Sequence, residues 1–374
     1  MRIGVNVRLL IKNRIDGISR FSFETLKRIT TNHPEHTFVF FFDRRYSDEF
    51  IFSSNIRPVV VPPQTRRPFL NEIWTGYTLP MAMKKHPLDL FLSMDGLLPL
   101  STKVPCLPVI HDLNFEHHPE WLPNYAVKYY QKRYPQFAAK AKRIITVSEF
   151  SRHDIATRYG IPLERIDVVY NGVSDRFHSL HADEQQRIRN RFSNGVRYML
   201  FVGSLHPRKN ILKTLLAFDA YRSQTNAICK LVIAGEKYFG NHEMEQVYNQ
   251  MQFREDVIFT GTVSDDDLIQ LYAAAQTFVF ASLFEGFGIP VLESMKSGCP
   301  VIASNTTSLP EVCGDAAILV NPDDPQEITR AMIEMDQEQI RDKYINLGVR
   351  RAAHFTWDQS AALLWKSIEQ TKQT

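Results

Sequence analysis

The sequence has few cysteines, no long apolar run and almost no net charge, and each shortage removes a class of function. Its four cysteines, Cys106, Cys229, Cys299 and Cys313, are scattered without C-x-x-C spacing. That pattern excludes a disulfide framework and a cysteine zinc site, and it fits a reducing, cytosolic compartment. No apolar run approaches the roughly 20 residues needed to span a bilayer. The strand pattern starts at Arg2 with no charged-then-apolar leader before it. The expected location is therefore cytoplasmic, with at most a peripheral contact at the inner face of a membrane. The 44 Lys and Arg against 41 Asp and Glu leave a net charge of +3, too little to argue for a nucleic-acid partner. Short-period repeats and low-complexity tracts are also missing, which removes solenoids.

What is present is a chain of 374 residues, 44% hydrophobic and 23% charged, long enough for two ordinary cores. Short β-branched and aromatic runs alternate with helical periodicity, the pattern of an α/β fold in which helices cover parallel sheets. Strands are expected at Arg2–Val7, Thr37–Phe42, Arg57–Val61, Leu88–Leu92, Cys106–His111, Arg143–Val147 and Ile166–Val169. Helices are expected at Ile18–Thr31, Asn71–Lys85, Asn124–Lys142 and Glu149–Tyr159, the last capped by Ser148. The polar stretch Ser174–Asn194 reads as a linker and the entry to a second domain of the same kind. In that domain strands are expected at Tyr198–Val202, Lys230–Ala234, Val257–Phe259, Thr277–Phe280, Pro300–Ala303 and Ala317–Val320. Its expected helices are Asn210–Ser223, Glu243–Gln252, Asp265–Ala275, Pro290–Ser297 and Pro325–Met335. The division is thus 1–174, 175–355 and a C-terminal helix in 356–374.

The most informative stretch is Ser282-Leu-Phe-Glu-Gly-Phe-Gly-Ile-Pro-Val-Leu-Glu-Ser-Met-Lys-Ser-Gly298. Two glycines and Pro290 mark a tight turn opening a helix, with proline at its first position. The backbone amides of Gly286, Phe287, Gly288 and Ile289 and the positive end of the helix dipole suit a diphosphate. Glu285 and Glu293 stand with seven residues between them. Taken alone, the two carboxylates are also readable as solvated charges favouring a helix start. Upstream, Phe201-Val-Gly-Ser-Leu-His-Pro-Arg-Lys-Asn210 places Arg208 and Lys209 before another helix, where two cations can meet a departing anion without a metal. In the first domain, Asp16-Gly17-Ile18-Ser19-Arg20 is a glycine loop opening a helix, and Val109-Ile-His-Asp-Leu-Asn114 puts His111 just after a strand.

Taken in order, these segments resemble the family 4 glycosyltransferases, whose GT-B fold has two facing Rossmann-like domains and an interdomain cleft. The likeness extends through Thr146-Val-Ser-Glu-Phe-Ser151, Tyr170-Asn-Gly-Val173 and Phe259-Thr-Gly-Thr-Val-Ser264. It implies a retaining transfer of a hexose from a nucleotide sugar. Glu285 would then lie beside the transferred sugar and Glu293 at the donor ribose. Lys209 would take the phosphates, with Arg208 replacing the arginine that many members carry where this chain has Ser204. Val263 would lie near the base, and His111 and Gly17 near the sugar and acceptor. The Pro-Arg-Lys-Asn arrangement resembles bacterial mannosyltransferases of surface-polysaccharide assembly, so the expected donor is GDP-mannose, a UDP-sugar next, and the acceptor a glycan or lipid-linked glycan.

No cofactor or metal is expected. Asp265-Asp266-Asp267 contains a D-x-D pattern, but Ser264 reads as an N-cap and the acids as a first helical turn. His111, His117 and His118 lack ligands at metal spacing, and Pro119 breaks their run. The pairs Arg44-Arg45, Arg66-Arg67 and Lys84-Lys85, with Lys140-Ala-Lys-Arg143, offer charge for an anionic lipid surface. A GT-B epimerase or phosphorylase and a non-catalytic sugar-binding protein remain open alternatives. A nicotinamide dehydrogenase does not fit, because no G-x-G-x-x-G follows a strand with an acid downstream.

Overall fold

The computed structural model describes residues 1–13, 17–65, 67–236 and 242–373. Asp16 of the glycine loop and Arg66 of one basic pair lie outside the described residues. The chain divides into two units, Met1–Gly172 with the segment from Trp357 onward, and Val173–Thr356.

Strand-forming runs in the first unit are apolar throughout rather than alternating, as expected where helices cover both faces of a parallel sheet. Thr37–Phe42, sequence TFVFFF, is buried at every position after the first. The strands are β1 (Arg2–Asn6), β2 (Thr37–Phe42), β3 (Ile56–Val60), β4 (Leu90–Ser93), β5 (Cys106–Pro108), β6 (Ile144–Thr146) and β7 (Ile166–Val168). They pair in the order β3-β2-β1-β4-β5, all parallel. The pair β6-β7 continues the sheet through a parallel bridge from Val109 to Ile145. Helix Gly17–Asn32 buries Phe21, Leu26 and Ile29. The last helix, Trp357–Gln373, packs on it: Trp357 meets Phe21 edge-on, Asp358 pairs with Arg28 at 2.6 Å, and Trp365 stacks on His33 at 3.6 Å.

The second unit holds β8 (Tyr198–Val202), β9 (Lys230–Ala234), β10 (Val257–Gly261), β11 (Thr277–Phe280), β12 (Val301–Ser304) and β13 (Ala317–Val320). Their order is β10-β9-β8-β11-β12-β13, again all parallel. In both units the order reverses next to the first strand, which is the doubly wound Rossmann arrangement. Each reversal opens a crevice at the carboxyl ends of two neighbouring strands.

Several segments differ from expectation. The stretch expected to be a linker contains helix Ala182–Ser193, started by a His181/Glu184 capping box and ended by Asn194 in the left-handed region. Only Ile188 and Ser193 of it are buried, so its apolar signal is too thin to stand out. The helix expected at Asn71–Lys85 is really Pro68–Ile73, a π turn at Trp74–Thr78 and Leu79–Lys84. Pro80 explains the widened turn, since its ring collides with the carbonyl four residues back in a regular α-helix. The bond from Leu79 N–H to Trp74 O closes that turn. Helices Leu309–Cys313 and Glu338–Ala352 were not expected at all; the second buries little beyond Gly348 and Ala352.

One close backbone approach joins the carboxyl ends of β8 and β9. Gly235, directly after β9, has φ +157°, and a Cβ there would lie 1.9 Å from the carbonyl oxygen of Gly203, directly after β8. Gly235→Ala is expected to lower stability by about 3 kcal/mol or more. Gly76→Ala, in open space, should be neutral or stabilise by about 0.4–1 kcal/mol. Urea unfolding of the two variants beside the parent checks the contrast.

Candidate active site

The crevice of the second unit lies between the segments that follow β8 and β11. After β8 the chain makes one 3-10 turn, Pro207–Lys209, capped by His206, whose Nδ1 accepts from Arg208 N at 3.2 Å. Asn210 follows in the left-handed region at φ +57°, a conformation asparagine tolerates better than most residues. Its side-chain amide donates to Ala281 O at 2.9 Å and to Pro322 O at 2.7 Å, tying the turn to the chain beyond β11 and beyond β13. Leu283 N donates to Arg208 O at 2.9 Å, so the two loops are also joined backbone to backbone. Asn210 has no role in the sequence-based reading; its only signal there is the Arg-Lys-Asn run.

Held this way, Arg208 and Lys209 converge on one carboxylate. Lys209 Nζ donates to Glu285 Oε1 at 2.7 Å and Arg208 Nη1 to Glu285 Oε2 at 2.6 Å. Arg208 Nη1 also donates to Phe284 O at 2.9 Å, and Lys209 Nζ stands 4.6 Å from the centre of the Phe280 ring. Glu285 is buried, with a side chain 8% exposed. Burial is the largest influence on its carboxyl and pushes the pKa up. The charges of Arg208 and Lys209, with the hydrogen bond from Lys209, outweigh it and hold the group at about 2. Two cations against one anion leave the site net positive, as an anion-binding crevice requires.

The loop carrying Glu285 is buttressed from the segment after β12. Ser304 Oγ donates to Ser282 O at 2.6 Å, and Ser308 Oγ to Glu285 O at 2.9 Å and Phe287 O at 3.0 Å. Glu285 N donates to Thr307 Oγ1 at 3.2 Å. These supports are absent from the sequence-based reading, since Ser and Thr after a strand carry no distinctive pattern. The turn Gly286-Phe287-Gly288 ends with Gly288 at φ +113°, where a Cβ would lie 2.6 Å from Leu309 Cδ2. Helix Ile289–Lys296 then begins, with Pro290 at its second position rather than its first. Glu293 is half-buried on this helix. After burial, its charge is the main influence raising the Tyr272 phenol.

Ser204 is exposed beside Gly203, and Val263 is half-buried between β10 and helix Asp265–Ala274. Ser264 caps that helix, accepting from Asp267 N at 3.1 Å, as the sequence implies. Asp266 pairs with Arg176, and Asp267 with Arg191 at 2.7 Å. Among the described residues, no three His, Cys, Asp or Glu side chains gather as a metal site.

In the first unit, His111 lies three residues beyond β5. Its Nε2–H donates to Met94 O at 3.0 Å, and Phe21 meets the ring edge-on at 5.4 Å. Gly17 is exposed and opens the helix carrying Phe21, one turn earlier. The structure thus gathers Arg208, Lys209 and Glu285, with the Gly286–Ile289 turn following, and separately relates His111 to the Gly17 helix. His117 bonds the Asp154 carboxylate at 2.8 Å, beside Arg158, a partner from a distant helix. A buried pair missed by sequence reasoning, Arg8 with Asp95, spans the ends of β1 and β4, where Asp95 also accepts from Asn6 at 2.7 Å.

The depressed Glu285 pKa sets a pH signature. Against an ordinary value of 4.5, the Glu285 contribution to stability is fully present above pH 4.5 and is lost as pH falls toward about 2. Glu285→Gln is therefore expected to be less stable than the parent at neutral pH. The difference should shrink through that acid window, as read by chemical unfolding at several pH values.

Two family models match the chain, "Glycosyl transferases group 1" over residues 182–351 and "Glycosyltransferase Family 4" over residues 15–177. The O-antigen chain mannosyltransferase B of Escherichia coli is 32% identical over 250 residues, which cover 66% of this chain and 66% of that protein. The serotype-specific mannosyltransferase WbdA of Escherichia coli is 29% identical over 273 residues, 71% of this chain but 33% of that protein. The match thus spans just under two thirds of one relative and a third of the other. Among solved structures, Anabaena HepE, crystallised with UDP and glucose, superposes with a TM-score of 0.77 over 98% of this chain and 99% of that one. At 16% identity that likeness concerns the fold. With both units matched by glycosyltransferase models and both sheets in Rossmann order, the chain belongs to the family 4 glycosyltransferases and has the GT-B fold.

Proposed function

We propose that the chain transfers a hexose from a nucleotide-diphosphate sugar to a glycan or lipid-linked glycan, with retention of configuration and without a metal ion. The observation that carries this reading is the meeting of Arg208 and Lys209 with Glu285 at the crevice between β8 and β11. A buried excess of positive charge at the carboxyl ends of a doubly wound sheet suits a diphosphate. In this reading the donor diphosphate takes over Lys209 and Arg208 together with the Gly286–Ile289 amides. Glu285 faces the sugar and Glu293 the ribose hydroxyls, with Val263 and Ser204 at the nucleotide side. His111 and Gly17 keep the sugar- and acceptor-side roles that the family pattern implies.

Transfer breaks the bond from the anomeric carbon to the diphosphate oxygen and forms one to the acceptor oxygen, whose proton goes to the departing phosphate. Charge builds on the leaving oxygen, and preorganised cations there act with no reorganisation at the moment of reaction. Arg208 and Lys209 supply the neutralisation that a divalent ion gives elsewhere, which supports a metal-independent reaction. The names of the relatives favour GDP-mannose as donor and a surface polysaccharide as acceptor, with a UDP-sugar the second choice. A lipid-linked acceptor would place the enzyme at the cytoplasmic face of a membrane.

Lys209→Ala is expected to stay folded and to lose about 10²–10³ in kcat. Transfer by the parent enzyme is expected to survive a chelator. Product analysis with and without acceptor separates transfer from epimerisation, and a requirement for inorganic phosphate would indicate a phosphorylase. A fully active Lys209→Ala protein, or activity abolished by chelator, overturns the assignment.

A further inference from the structure

Large apolar side chains are normally hidden, yet one row of them in the first unit is not. Along Pro68–Lys84, Phe69 is 57% exposed, Ile73 39%, Tyr77 70% and Met81 64%. They are spaced four residues apart. In a regular α-helix each step of four overshoots a full turn by about 40°, so such a row spirals away from one face. The π turn at Trp74–Thr78 is wider and undershoots, so it cancels much of that drift in mid-row. The distortion that Pro80 imposes on the preceding turn therefore holds the four side chains near one line. The opposite face is anchored: Trp74, Thr75, Leu79 and Met83 are buried, and Trp74 Nε1 donates to Val61 O at 2.8 Å.

Charge on and beside this row has one sign. Residues 67–85 and the neighbouring helix Asn124–Lys140 together carry seven Lys and Arg against a single acid, Glu72. The whole chain nets only +3, so the remainder is on balance acidic. Glu72 is already neutralised by Arg133 of the neighbouring helix, through Nε at 2.7 Å. Arg67, Lys84, Lys85, Lys128 and Lys132 are exposed, and Tyr125, 63% exposed, adds an aromatic to that helix. An apolar row with aromatics, flanked by unopposed cations, matches the interface of an anionic bilayer: side chains enter the headgroup boundary while Lys and Arg meet lipid phosphates. No described helix is long and apolar enough to cross a membrane, so the contact is one of docking.

We propose that the face of Pro68–Lys84 bearing Phe69, Ile73, Tyr77 and Met81, with its flanking cations, docks on an anionic lipid surface. The inference extends the lipid-linked-acceptor reading, and its failure is separable from that of the donor site. The test is flotation of the full chain with vesicles of phosphatidylcholine alone or of phosphatidylcholine and phosphatidylglycerol in equal parts. The parent should float with the anionic vesicles at low salt, lose binding at high salt and stay behind with the neutral ones. Tyr77→Ser/Met81→Ser and Lys84→Glu/Lys85→Glu should each weaken anionic-vesicle binding by about tenfold or more, with melting temperature and nucleotide-sugar binding unchanged. A parent that ignores anionic vesicles, or variants that float as well as the parent, overturns the proposal. So does a parent dimer that Tyr77→Ser/Met81→Ser converts to monomer while vesicle binding is absent, since the row would then serve a second copy of the chain.

Discussion

Two cations sharing one buried carboxylate is the constraint around which the second unit is organised. Taking Arg208, Lys209 and Glu285 out of water would be expensive singly, and it is tolerable because each charge faces an opposite one at hydrogen-bond distance. That geometry demands that the segments after β8 and β11 lie side by side, which the strand order supplies. It also demands that neither loop drift. Asn210, Ser304, Thr307 and Ser308 meet this second demand by bonding carbonyls or amides of loops that would otherwise be unsatisfied. Each of these bonds ties a loop of the site to a neighbouring segment.

In the proposed reading, the same cluster makes the crevice receptive to an anion. Glu285 balances one of the two cations within the protein, and the donor diphosphate would bring negative charge of its own to the other side of them. Arg208 also donates to Phe284 O, which ties it to the loop that carries Glu285. The close passage of Gly235 past Gly203 leaves no room for a side chain where β8 and β9 end.

Much of this was legible in the sequence, for identifiable reasons. Strands buried on both faces, such as Thr37–Phe42, announce themselves as continuous apolar runs. Caps at Ser148 and Ser264 follow from local chemistry alone. Helix Ala182–Ser193 was hidden because a nearly solvated helix has little apolar periodicity to show, and the π turn because the effect of Pro80 on the turn before it is a matter of three-dimensional crowding. For the candidate site, the residue types could be picked out by motif, but not the ion pairs. Glu285 and Lys209 are 76 positions apart, and only the strand order brings them within 2.7 Å. The clamp made by Asn210 was invisible for the same reason, because its acceptors, Ala281 and Pro322, follow other strands.

The central claim is that this crevice holds the diphosphate of a nucleotide sugar, and binding in the absence of any acceptor tests it most directly. In thermal-shift measurements with GDP-, UDP- and ADP-sugars, a donor at 100 times its Kd should stabilise the parent protein by about 2.7 kcal/mol. GDP-mannose is expected to give the largest shift and Lys209→Ala to lose it. If no nucleotide sugar in the panel moves the melting temperature, or if the shift persists undiminished in Lys209→Ala, the account is contradicted.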